Sequence, residues 1–129
     1  MIKKMTNSTP GFYELMGPIF GSRDIEKITG DRFFDDDDKI WYINLSEERL
    51  MACISLKEDV IKNVWGFKEE SLLQLLKEVL DVAIGGVVPN IYEHLYVEAG
   101  YQIVNDIDSK RRLIRFVPIQ GRMPKEISG

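Results

Sequence analysis

Between Lys39 and Phe67 the chain carries three apolar segments rich in β-branched and aromatic residues, separated by two short polar turns. This spacing constrains the fold more than any other feature. Lys39 to Leu45 holds Ile40, Trp41, Tyr42 and Ile43; Leu50 to Leu56 follows after Ser46-Glu47-Glu48-Arg49; Val60 to Phe67 follows after Lys57-Glu58-Asp59. Such turns are too short for the crossover that parallel neighbours need, so the segments are expected as a three-stranded antiparallel meander. The first segment is apolar on both faces, which rules against an exposed edge.

The period then changes. From Glu69 to Leu80, Leu72, Leu73, Leu75, Leu76, Val79 and Leu80 form one broad face and Glu69, Glu70, Gln74, Lys77 and Glu78 fill the other, the pattern of a helix lying on a sheet. Val82 to Val88 reads as a short buried strand interrupted by Gly85-Gly86, either bulged or reached through a loop. A helix is expected from Pro89-Asn90 to Ala99, and Gly100 can take the left-handed conformation that ends it. Tyr101 to Val104 and Arg111 to Ile119 then read as a hairpin around Asn105-Asp106-Ile107-Asp108-Ser109. Upstream, Phe12 to Met16 is a short helix that Gly17-Pro18 should stop, and Ser22 and Gly30 bracket a second. Residues 1–9 and 121–129 are expected as flexible ends of a single domain spanning 1–129.

Several classes of function are disfavoured at this level. The net charge of −4 opposes nonspecific nucleic-acid binding, which depends on Lys and Arg neutralising phosphates. No run approaches the ~20 apolar residues of a membrane helix, and the start of the chain lacks a signal-type apolar region, so a cytoplasmic protein without membrane contact is expected. Cys53 is the single cysteine and lies in an apolar run, as a small core residue would. Asp35 to Asp38 lack the alternating ligands, glycine and distal glutamate of a calcium loop and read as a solvated turn. His94, the single histidine, has no second His or Cys at metal-ligand spacing and no triad partners, so no metal site is expected. Lys110, Arg111, Arg112 and Arg115 read as charges that protect a terminal strand from edge-to-edge pairing.

The stretch His94-Leu95-Tyr96-Val97-Glu98-Ala99-Gly100-Tyr101 resembles the "LYxxxGF" ending of the last helix in the GNAT acetyltransferase superfamily. The element order read above is also that family's order from its first helix to its last strand, over about residues 11 to 119. The resemblance implies an α+β fold: a GNAT-like mixed, mostly antiparallel sheet flanked by helices, with the strands at residues 60 and 84 diverging. It implies that Tyr96, four residues before Gly100, occupies the position that often protonates a departing coenzyme A thiolate. It also implies that the backbone of Asn63, Val64 and Trp65 would hold an acyl-CoA.

The family's phosphate loop, of the form Arg/Gln-x-x-Gly-x-Gly/Ala, has no counterpart here. Its glycines let backbone N–H groups approach a pyrophosphate at a helix N-terminus. The corresponding junction, Trp65-Gly66-Phe67-Lys68-Glu69-Glu70-Ser71, has one glycine and two carboxylates that favour the helix but repel phosphate. No cofactor is therefore expected, with acetyl-CoA the cofactor if the chain is active. Three functions follow: a degenerate acetyltransferase acting as a binding module, through an apolar pocket near Trp41, Trp65 and Tyr96; an active acyl-CoA-dependent N-acetyltransferase with a rebuilt loop; or an unrelated α+β interaction protein. Glu58 and Asp59 are candidate bases for the second. The partner is a small molecule or a protein, and a homodimer is compatible with each.

Overall fold

The computed structural model describes residues 1–116. The three segments of the meander form β2 (Ile40–Ser46), β3 (Arg49–Lys57) and β4 (Val60–Gly66), each antiparallel to the next. The turns are tighter than expected, two residues each. Glu47 and Glu48 have φ of 51° and 66°, and Glu58 and Asp59 have φ of 53° and 64°, the left-handed pair whose twist matches that of the flanking strands. Helix α3 (Glu69–Val79) lies on this sheet with Leu72, Leu75, Leu76 and Val79 buried.

Two expectations for the first third of the chain do not hold. Ile2–Met5, expected to be loose, form strand β1, antiparallel to β2 with Met5 opposite Trp41. The adjacent Lys3 and Lys4 hide the strand in the sequence, yet buried Met5 anchors it. Helix α1 (Phe12–Phe20) continues through Gly17-Pro18. Proline forfeits one helical hydrogen bond, but Phe12, Met16 and Ile19 sit at helical spacing and are all buried, and that burial holds the last turn in place. Helix α2 (Arg23–Thr29) is capped as expected, with the Ser22 hydroxyl accepting from the Ile25 N–H and Gly30 left-handed.

Beyond α3 come β5 (Gly85–Pro89), a 3-10 turn at Asn90–Tyr92, α4 (Glu93–Ala99), β6 (Tyr101–Asp106) and β7 (Arg111–Phe116). Gly100 ends α4 in the left-handed region. Residues 117–119 of the expected last strand and the expected flexible end at 121–129 lie outside the described residues. The sheet order is β1-β2-β3-β4-β5-β7-β6, parallel only between β4 and β5. β7 is thus interior, flanked by β5 and β6, and its charges do not guard an edge. Two of them are ion-paired instead: Arg111 with Asp108 at 2.7 Å, and Arg112 with Glu93 at 2.8 Å and Asp106 at 2.9 Å. Helices α1 and α2 cover one face and α3 and α4 the other. Trp41 meets Phe12, Phe20 and Phe33 on the first face, while Asn44 donates to the Ser71 carbonyl on the second. The result is a single α+β domain whose elements from α1 to β7 follow the order of the GNAT fold, preceded by β1. Among the described residues no helix is long and apolar enough to cross a membrane.

Candidate functional site: a splayed strand pair and the cleft over its bulge

β4 and β5 pair only at Val60 with Gly85 and at Ile61 with Gly86. The cause is local. β4 carries one extra residue against β3, Lys62, between the pairs Leu56–Ile61 and Ser55–Asn63. A bulge bends its own strand, and this one follows the last residue paired to β5, so β4 turns away there. The two glycines make the point of divergence tight. A Cβ on Gly86 would lie 2.2 Å from the Ile61 carbonyl oxygen, and one on Gly85 would lie 2.2 Å from that of Ile114. Only glycine lets β5 seat between β4 and β7. The expected divergence of the two strands is present.

The wide end of the gap is bridged by Tyr92, from the turn after β5. Its hydroxyl accepts from the Gly66 N–H at 3.0 Å and donates to the Gly66 carbonyl at 3.2 Å, joining the last residue of β4. The next two amides are also taken, since Phe67 and Lys68 both donate to the Met51 carbonyl, at 2.8 and 3.4 Å. Met51 is itself a bulged residue, the extra one in β3 between its pairs with Asn44 and Leu45. Burial pushes the Tyr92 hydroxyl up to about 12. Glu69 and Glu70 form the first turn of α3, and Glu69 Oε1 lies 2.9 Å from Nε2 of exposed His94 on α4.

The residues singled out from sequence fall as follows. Tyr96 is fully buried, and its hydroxyl donates to the carbonyl of Pro89, the last residue of β5, at 2.7 Å. Burial holds it well above the ordinary tyrosine range. Gly66 turns its amide and carbonyl toward the gap, and by strand alternation Val64 does the same. The Val64 side chain is buried, and Trp65 packs edge-on against Phe67 and Tyr92 with its indole N–H unpaired among the described residues. Trp41, Trp65 and Tyr96 are all buried, with separate neighbours: Trp41 packs on Phe12, Phe20 and Phe33, Trp65 on Phe67 and Tyr92, and Tyr96 is held at the Pro89 carbonyl. Cys53 is fully buried, and burial raises its thiol. Asp59 is a turn residue, and Glu58 lies in the turn at the rim of a cleft.

That cleft is polar and lies on the α2 face, over the Lys62 bulge. Its volume is about 430 Å³, and Asp31, Phe34, Asp36, Lys39, Lys57 and Asn63 contribute to its walls. Asn63 organises it. Its Oδ1 accepts from Lys39 Nζ at 2.9 Å and from Ser55 Oγ at 2.7 Å, while its Nδ2 donates to Asp31 Oδ2 at 2.9 Å. Lys39 is only 6% exposed; it also donates to the Phe34 carbonyl at 3.2 Å and lies over the rings of Phe34 and Trp41. Burial lowers the Lys39 ammonium and raises the Asp31 carboxyl, the latter opposed by the Asn63 hydrogen bond. Asp36 and Lys57 neutralise each other at 3.0 Å. Sequence reasoning missed Asp31, Lys39 and Tyr92. Lys39 left a signal, since it shares a strand face with Trp41 and Ile43, where a charge needs buried partners. Tyr92 also precedes Tyr96 by one helical turn.

No protein-family model matches the chain, and no curated protein matches it. Among solved structures it is similar to the aminoglycoside 6'-N-acetyltransferase from Enterococcus faecium, at 11% identity over 88% of this chain and 94% of that one, with a TM-score of 0.47. It is also similar to an aminoglycoside 6'-acetyltransferase type Ii, at 12% identity over 92% and 99% of the two chains, with a TM-score of 0.46. Likeness at this level carries nothing about ligand or reaction. The element order and the splayed β4–β5 pair carry the description of the chain: a GNAT-like fold.

Proposed function

We propose that this chain is a binding protein built on a GNAT-like framework, with the Gly66 end of its interstrand gap closed by its own residues and its polar cleft as the working face. The observation that carries the reading is the Tyr92 hydroxyl, paired with both the N–H and the C=O of Gly66. An extended ligand adding itself to β4 would need those groups. Three further features support it. The Phe67 and Lys68 amides are used by Met51, Glu69 and Glu70 place carboxylates where a pyrophosphate would lie, and the Tyr96 proton is donated to Pro89. These residues do not fit acetyl-CoA, and no step is assigned through it.

The second reading, an acyl-CoA-dependent N-acetyltransferase with a rebuilt loop, is favoured by the divergence of β4 and β5. In that case the backbone from Asn63 to Trp65 would hold the acyl arm and Tyr96 would have to leave Pro89. Calorimetric titration with acetyl-CoA and free CoA separates the two. The binding-protein reading expects a Kd weaker than roughly 100 μM for both. Tighter binding, or acetyl transfer that is lost on Tyr96→Phe, puts the enzyme first.

A further inference from the structure

The cleft over the Lys62 bulge holds two opposite charges that do not meet. Asp31 and Lys39 both wall it, and both bind Asn63, one through Nδ2 and the other through Oδ1, each at 2.9 Å. The amide keeps them a side-chain amide's width apart, and no direct ion pair joins them among the described residues. Asn63 cannot adjust. Its Oδ1 already accepts from Ser55 as well, and its Nδ2 faces the Arg32 carbonyl at 3.5 Å.

Each charge keeps hydrogen-bonding capacity. An ammonium has three donors, and Lys39 uses two, on Asn63 and the Phe34 carbonyl. A carboxylate has about four acceptor sites, and among the described residues the only side-chain donor to Asp31 is Asn63. Each is also short of compensation: burial lowers the lysine and raises the aspartate, so either ion would gain from a counter-charge brought into the cleft. Beyond these two, the walls carry the paired Asp36 and Lys57 together with Arg32, Lys62 and Glu58, a surplus of one positive charge that does not replace a direct partner for either buried ion. A purely anionic ligand would gain at Lys39 and lose at Asp31, and a purely cationic one the reverse. A molecule carrying both charges a short distance apart gains at each. Phe34, 52% exposed with the Arg32 guanidinium 5.2 Å from its ring centre, adds an apolar wall for a carbon skeleton. A volume of about 430 Å³ suits a small ligand.

We infer that this cleft binds a small zwitterion of the α-amino-acid type with an apolar side chain, its ammonium on Asp31, its carboxylate on Lys39 and its side chain against Phe34. The inference takes its working face from the binding-protein reading above, but the site does not require the gap to be closed.

The test is calorimetry on the full chain with L-leucine and L-phenylalanine, each beside its two singly charged analogues: 3-methylbutylamine and 4-methylpentanoate, and 2-phenylethylamine and 3-phenylpropanoate. At least one amino acid is expected to bind, with both of its analogues weaker by tenfold or more. Asp31→Asn keeps an acceptor for Asn63 and should weaken that amino acid by tenfold or more while leaving the circular dichroism spectrum unchanged. Lys39→Met is the companion variant. Should it fail to fold, Phe34→Ala, at an exposed ring, should still lower affinity for the amino acid. No heat from either amino acid at millimolar concentration overturns the inference. So does an analogue that binds as tightly as its parent, or an Asp31→Asn protein that binds like the wild type. Repeating the titration with acetyl-CoA present keeps the two readings apart: an amino-acid isotherm that depends on acetyl-CoA supports this site and overturns the closed gap.

Discussion

Replacing Tyr92 by Phe removes one oxygen atom and tests whether that atom closes the gap. The hydroxyl makes two hydrogen bonds to Gly66, at 3.0 and 3.2 Å, and the ring stays packed on Trp65. A net contribution of about 0.5–1.5 kcal/mol per bond gives a loss of about 1–3 kcal/mol, because both Gly66 groups lose their partner and no contact replaces it. For a domain of this size, a loss of about 2 kcal/mol lowers Tm by about 6–10 °C. Urea unfolding gives the free energy. Hydrogen exchange gives the location: the Gly66 amide should lose protection while those of β2 and β3 change only with global stability. A loss below about 0.5 kcal/mol with Gly66 still protected would mean that the hydroxyl does not hold the strand end, and the argument for a closed gap would go with it.

Other perturbations probe the frame around the site. Leu76 is fully buried, so Leu76→Ala should cost about 2–5 kcal/mol in urea unfolding, and a loss under 0.5 would mean that α3 does not cover the sheet as described. Gly86→Ala puts a methyl 2.2 Å from the backbone oxygen of Ile61, which cannot rotate aside, so about 3 kcal/mol is expected, the top of the range for overpacking. A cost below 1 kcal/mol would show that the strands are not pinned at that point. Tyr92 is pushed from 10.0 up to about 12 by burial, so the folded state holds the proton more tightly than the unfolded one. Stability from this group is complete below pH 10 and is lost as pH rises through 12; Tyr92→Phe should make the alkaline limb shallower, and identical limbs would contradict the assignment.

Features set by neighbours in sequence were legible from the residues. The meander followed from two polar turns that leave no room for a crossover, α3 from the spacing of Leu72, Leu75, Leu76 and Val79, and the end of α4 from Gly100. Features that depend on a distant partner were not. Ile2–Met5 become a strand only because β2 offers an edge, and Pro18 stays helical only because the sheet buries Ile19. The interior place of β7 could not be read from its position in the chain, since sheet order and chain order differ. The cleft is the strongest case. Lys39, Asn63 and Asp31 come from three segments and acquire their meaning from a one-residue bulge at Lys62 that leaves no periodic trace. Tyr92 lies one helical turn before Tyr96, but only Tyr96 falls at the position that the resemblance marks.

The closed gap is tested most directly by following the backbone amides of Val64, Gly66, Phe67 and Lys68 in a 15N-labelled sample as acetyl-CoA is added. These amides line the edge and end of β4, where an acyl-CoA held between the splayed strands would have to bind. The account predicts that all four resonances stay in place up to millimolar acetyl-CoA. Saturable shifts at Val64 and Gly66, with Gly66 losing its Tyr92 partner as the ligand enters, would contradict it.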